Sequence, residues 1–176
     1  MTFLIVVFSY IYFFLVGLLI LWLIKKKFKV KKVVIGHYHI PLKIGDFLIL
    51  EAYLFRNKVY KFEDFLVITD VHLGLINYRD EELENLEYLL NKKTIILGDF
   101  FEKRIRKELK KKELELFCKV LNNKNIVYIK GNHDPKVEKQ VLYFIYKDFL
   151  FTHGHITFFP LYFFDLLGIL TQKRKV

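Results

Sequence analysis

Three short apolar runs, at residues 65–69, 94–97 and 125–130, each stop just before a side chain able to hold a metal ion. The first leads into Asp70-Val71-His72, the second into Gly98-Asp99, and the third into Gly131-Asn132-His133-Asp134. Runs this short and this apolar read as strands buried on both faces. Between them, residues 79–90 and 107–121 carry apolar side chains at helical spacing. Strands alternating with helices predict an α/β domain built on sheets of buried strands. Such sheets keep their chemistry beyond the carboxyl ends of the strands. An Asn/Asp-rich turn can serve only to reverse the chain. Asn132, however, also offers a neutral carbonyl oxygen, and His133 can be a ligand or a general acid.

Two further stretches add nitrogen donors. After an apolar run at 33–35, Gly36-His37-Tyr38-His39 sets two histidines two residues apart, which in extended chain point to one side. They fit a metal site or a surface loop. A hairpin is expected from strands at 141–146 and 149–152, turned at Lys147-Asp148, and it delivers Thr152-His153-Gly154-His155. Strands are also expected at 47–55 and 58–61, joined by a polar turn at Arg56-Asn57-Lys58. Asp80 is a candidate helix cap. Glu102 stands three residues beyond Asp99, where it can orient a ligand or a substrate. The single Cys118, expected to pack within a helix, excludes a disulfide framework and any Cys-based zinc cluster. The remaining donors are oxygen and nitrogen, a set suited to manganese, iron, zinc or magnesium.

The chain has 176 residues, enough for one domain and its core. Its net charge of +10 is unevenly spread. Residues 2–24 carry no charge, and Lys25-Lys26-Lys27-Phe28-Lys29-Val30-Lys31-Lys32 follows. About 20 apolar residues cross a bilayer core, so residues 1–24 are expected to form a transmembrane anchor, a cleaved signal peptide being the rival. Residues 25–32 then form a basic juxtamembrane segment. The positive-inside rule puts the remaining domain, 33–176, in the cytoplasm of a single-pass membrane protein. Further basic runs lie at 103–112 and 173–175, and such runs meet phosphates or anionic head groups. Residues 156–170 are apolar and aromatic with Pro160 among them. They read as a core helix or a membrane-surface segment.

Taken together and in order, Asp70-Val71-His72, Gly98-Asp99, Gly131-Asn132-His133-Asp134 and His153-Gly154-His155 resemble the calcineurin-like metallophosphoesterase family over roughly residues 64 to 155. The resemblance implies a two-sheet sandwich flanked by helices, with two divalent metal ions, manganese first among them, cleaving a phosphodiester or pyrophosphate bond. Asp70 and His72 would hold one metal, Asn132 and His153 the other, and Asp99 would bridge. His133 would act as general acid or stabilise the transition state, while Glu102, Asp134 and His155 would stand behind these groups. Family members usually end in a Gly-His-x-His segment that is missing after residue 155. Gly36-His37-Tyr38-His39 has that pattern at the other end of the chain. A circularly permuted domain is therefore expected, His37 completing the second metal and His39 the first; a truncated domain is the alternative. Leu97-Gly98-Asp99-Phe100-Phe101-Glu102 is also similar to the UDP-2,3-diacylglucosamine pyrophosphohydrolase branch, which would imply a lipid-linked, phosphorylated substrate at a membrane. A nuclease-type enzyme acting on nucleic acid, or a catalytically impaired membrane-bound regulator, remain the other readings.

Overall fold

The computed structural model of the chain describes residues 2–38, 42–53, 57–104 and 108–154, without the side chains of 2–11, 13, 14, 37, 38, 42 and 44. Two mixed sheets face each other, with helices outside both. Sheet B is built from β4 (Tyr60–Phe62), β5 (Phe65–Ile68), β6 (Thr94–Leu97) and β7 (Ile126–Ile129), side by side in that order. The three apolar runs β5, β6 and β7 are parallel, as their alternation with helices requires. The crossovers carry α2 (Asp80–Leu90) and α3 (Lys111–Asn122). Both lie on one face of the sheet, where Leu83, Leu86, Leu90, Leu116 and Val120 share a core with Ile68, Ile96 and Tyr128.

Each helix begins at a glutamate three residues in. The Glu82 carboxylate accepts the Arg79 N–H at 2.8 Å, and Glu113 accepts the Lys110 N–H at 3.0 Å. Asp80 is therefore the first helical residue rather than the cap, and its side chain pairs with Lys110 at 2.7 Å. Cys118 lies on α3 as expected but is exposed, so it is not a packing residue.

Sheet A has the order β2-β3-β1-β9-β8, formed by β1 (Lys32–Tyr38), β2 (Leu42–Ile44), β3 (Phe47–Glu51), β8 (Tyr143–Tyr146) and β9 (Phe149–His153). The hairpin expected around Lys147-Asp148 is present as β8 and β9. The hairpin expected around Asn57 is not. β3 lies in sheet A and β4 in sheet B, so the polar stretch between them is a crossover between sheets. The true partners are β2 with β3, and β4 with β5.

Strand alternation distributes the apolar side chains to two faces. Val34, Leu50 and Phe151 of sheet A meet Phe65, Val67, Ile95, Leu97 and Ile129 of sheet B in the core between the sheets. Val33, Ile35, Ile49 and Leu150 point the other way, onto the first helix, α1 (Thr2–Phe28). Ile20, Leu21, Ile24 and Phe28 of that helix are buried there. The layers thus run α1, sheet A, sheet B, then α2 with α3. Among the described residues no helix is long and apolar enough to cross a membrane.

β1 is the middle strand of sheet A, parallel to both β3 and β9. Gly36 pairs with His153, and the Gly154 N–H donates to the Gly36 carbonyl at 3.0 Å. A Cβ on Gly36 would lie 2.2 Å from Thr69 Oγ1 and 2.9 Å from Leu97 Cβ. Only glycine lets the end of β1 come so close to the ends of β5 and β6.

Candidate metal centre

The loops after β5, β6 and β7 are stitched into one surface by backbone hydrogen bonds. Asp70 N–H donates to Gly98 O at 3.1 Å, His72 N–H to Asp99 O at 2.9 Å, and Lys103 N–H to His133 O at 2.8 Å. Asp134 ties the two later loops together. Its buried carboxylate accepts the N–H groups of Asp99 (2.8 Å), Phe101 (3.0 Å) and Gly131 (2.8 Å), and the Tyr128 hydroxyl as well. Asp134 is thus the clasp of the site, with its oxygens turned to the protein.

Three functional residues adopt left-handed backbone: Asp70 (φ 53°), His72 (φ 53°) and Asp99 (φ 51°). For residues other than glycine this conformation costs on the order of 1–3 kcal/mol each, and it is held by the surrounding bonds. The twist turns the side chains inward. Asp99 Oδ2 lies 3.3 Å from His153 Nε2 and 3.8 Å from His72 Nε2. Asp70 Oδ1 is 3.9 Å from His72 Nε2. Asp70, Asp99 and His153 have ligand atoms within 4.8 Å of one another and are all buried, and a second cluster of the same kind joins His72, Glu102 and His133.

The electrostatics follow from burial of opposite charges. Burial alone would raise the Asp99 pKa, but the His153 imidazole outweighs it and holds the carboxyl down at about 2. Burial would lower the His153 pKa, but Asp99 and Asp70 bring it up to about 9. His72 is also raised, because Asp70, Asp99 and Glu102 outweigh its burial. So much negative charge around two imidazoles is what a divalent cation neutralises.

The donor chemistry fits a metal in two further respects. His153 Nδ1 bonds the Leu97 carbonyl, which directs Nε2 at Asp99. Asn132 Oδ1 is a buried carbonyl oxygen with no hydrogen-bond partner among the described residues. A family model, calcineurin-like phosphoesterase, matches residues 64–174. The chain belongs to the calcineurin-like phosphoesterases. It is a metal-dependent phosphoester hydrolase. No curated protein and no solved structure gives a significant match.

In this phosphoesterase, His133 stands at the rim of the site. Its backbone N–H donates to Asp99 Oδ1 at 2.7 Å. Its Nδ1 is 2.8 Å from Glu102 Oε2, so Nδ1 carries the proton toward that carboxylate and Nε2 is left for the substrate side. Glu102 also lies 3.4 Å from His72 Nδ1. Sequence reasoning gave Glu102 only a supporting place; the structure gives it a definite partner, His133. Of the other expected site residues, His37 lies on β1 without a described side chain, and His39 and His155 lie outside the described residues. Changing Glu102→Gln is expected to lower turnover about 10- to 100-fold, the usual effect of losing such a support. Steady-state kinetics beside metal analysis will check this. Loss of bound metal in place of turnover would assign Glu102 to the ligand set through His72.

Proposed function

We propose that the chain hydrolyses a phosphodiester or pyrophosphate bond with two divalent ions, manganese in preference to iron, zinc or magnesium. The observation that carries this reading is the position of Asp99 Oδ2 between His153 Nε2 and His72 Nε2, where one carboxylate can serve two centres. Asp70 and His72 would hold one ion, and Asn132 and His153 the other. When bound, the ions supply a nucleophile at neutral pH and a clamp on the phosphoryl group. The chain's own residues do the rest. Glu102 holds the Nδ1–H of the His133 ring, and the imidazolium form of His133, protonated at both nitrogens, gives its Nε2 proton to the departing oxygen.

The domain is read as circularly permuted, with β1 supplying the ligands His37 and His39 that relatives carry at the end of the chain. The Gly36–His153 pairing and the close approach of Gly36 to Thr69 and Leu97 support this. Attachment to the cytoplasmic face of a membrane through α1 is part of the same proposal. So is a lipid-linked substrate, which rests on the likeness of residues 97–102 to the UDP-2,3-diacylglucosamine pyrophosphohydrolase branch. The test is hydrolysis of a chromogenic phosphodiester with and without manganese, by the wild type and by His37→Ala. Manganese-dependent turnover is expected, with a fall of about 10- to 100-fold in the variant on loss of metal affinity. Turnover without added metal in a chelator-treated sample would overturn the metal reading. Full activity in the variant would overturn the permutation.

A further inference from the structure

Helix α1 is used on two sides. One side, Val16, Ile20, Leu21, Ile24 and Phe28, is packed on sheet A. The opposite side is exposed and apolar: Tyr12 63%, Leu15 57%, Leu19 55%, Trp22 47% and Leu23 41%. The steps from Tyr12 to Leu15, Leu19, Trp22 and Lys26 alternate three and four residues, so these side chains form one stripe along the helix. Water is a poor partner for such a stripe.

What covers it is indicated by charge. The stripe ends in an open hollow of about 390 Å³ lined by Trp22, Lys25, Lys26, Lys29 and Val30. Lys26 sits over the Trp22 ring at 5.1 Å. No acidic residue precedes Asp46 in the chain. Asp46 pairs with Lys25, and Asp148 with Lys31, while Lys26, Lys29 and Lys32 are exposed. An aromatic and leucine stripe bordered by lysines matches the boundary between acyl chains and anionic head groups.

A spanning orientation is incompatible with the docked half. Val16, Ile20, Leu21, Ile24 and Phe28 are all held against sheet A. Sinking this half of α1 end-on into the hydrocarbon core would carry sheet A into lipid. We propose that α1 lies in the plane of an anionic bilayer, its outer stripe in the lipid and its inner side fixed to sheet A. This rests on the membrane attachment proposed above and specifies its geometry. The metal centre then sits at the side of the stack, opening along the membrane surface rather than into it.

Trp22 is the sole tryptophan and reports on the stripe directly. The full chain is mixed with phosphatidylcholine vesicles, with and without phosphatidylglycerol, and followed by flotation and tryptophan emission. Flotation with the anionic vesicles and a blue shift are expected. The double variant Lys26→Gln, Lys29→Gln should partition about 30-fold more weakly while hydrolysing a soluble diester as the wild type does. Quenching by lipids brominated at set depths then tests orientation, using the wild type beside the double variant Leu15→Trp, Trp22→Phe. Equal, shallow depths for positions 15 and 22 are expected. A depth difference of about 10 Å, seven residues of helix rise, would show a spanning helix and overturn the in-plane geometry while leaving attachment intact. No flotation would overturn attachment and geometry together. An emission shift that follows protein concentration without lipid would assign the stripe to a second copy of the chain.

Discussion

Asp99→Asn abolishes metal-dependent hydrolysis, by on the order of 10³-fold or more, and the protein still folds. Asparagine has the shape of aspartate and tolerates the left-handed backbone that position 99 adopts, φ 51°. Its side-chain oxygen can still accept the His133 N–H that Asp99 Oδ1 accepts at 2.7 Å. What is removed is the charge on Oδ2, beside both His153 and His72. A neutral amide cannot bridge two cations, and it cannot sustain the imidazolium that Asp99 stabilises at His153. Metal analysis should therefore fall with activity, while in chelator the protein still melts cooperatively, at a temperature lowered by the loss of the buried Asp99–His153 pair. A variant that keeps its metal and its turnover would show that the bridging charge comes from another residue, with Asp70 the nearest candidate.

Gly131→Ala produces the second large effect, and this one is on folding. A Cβ at position 131 would lie 2.0 Å from Asp99 Oδ1 and 2.2 Å from the Asp99 nitrogen. Neither atom is the end of a flexible chain, because Asp99 is fixed by the Asp134 clasp and by His133. The loops after β6 and β7 must separate, losing buried hydrogen bonds that cost about 1–3 kcal/mol apiece when unmade. A loss of roughly 3 kcal/mol corresponds to a fall in Tm of about 6–12 °C for a chain of this size. Gly45→Ala is the control. Gly45 also has positive φ, 54°, but nothing lies within 4 Å of its added Cβ. It should lose only about 1 kcal/mol, the ordinary cost of that backbone. Equal shifts in thermal melting for the two glycines would remove the steric argument.

The half of the molecule around sheet B was legible from sequence because its signals are local. Each of β5, β6 and β7 is an unbroken apolar run ending in a donor, and α2 and α3 announce themselves by periodicity. The partnership of β3 was not legible. A short polar stretch between two apolar runs looks the same whether it closes a hairpin or crosses between sheets, and only the complete set of partners decides. The short β2 strand was missed for the same reason. The docking of α1 was hidden by its composition. A helix apolar on every side gives no periodic sign of the face that meets protein, so a long uncharged apolar run followed by lysines suggested a span. In the site, ligand types were readable at strand ends, and Glu102 and Asp134 were expected behind them, but the partners of these two were not readable. Glu102 and Asp134 lie in loops where no period says which way a side chain turns.

The position of β1 bears on how the chain reaches this structure. β1 is made early, directly after α1, yet its neighbour β9 is the last strand described, and residues Lys32 and Phe149 must meet. Sheet B and its two helices can assemble from consecutive segments while synthesis is under way. Sheet A cannot, because its middle strand has an open edge until β9 arrives. Contacts this distant in sequence form slowly and leave a sticky edge waiting. Burial of Val33 and Ile35 under α1 shields one face of that strand in the interval. The first helix can thereby act during biosynthesis as a built-in chaperone for the strand that follows it.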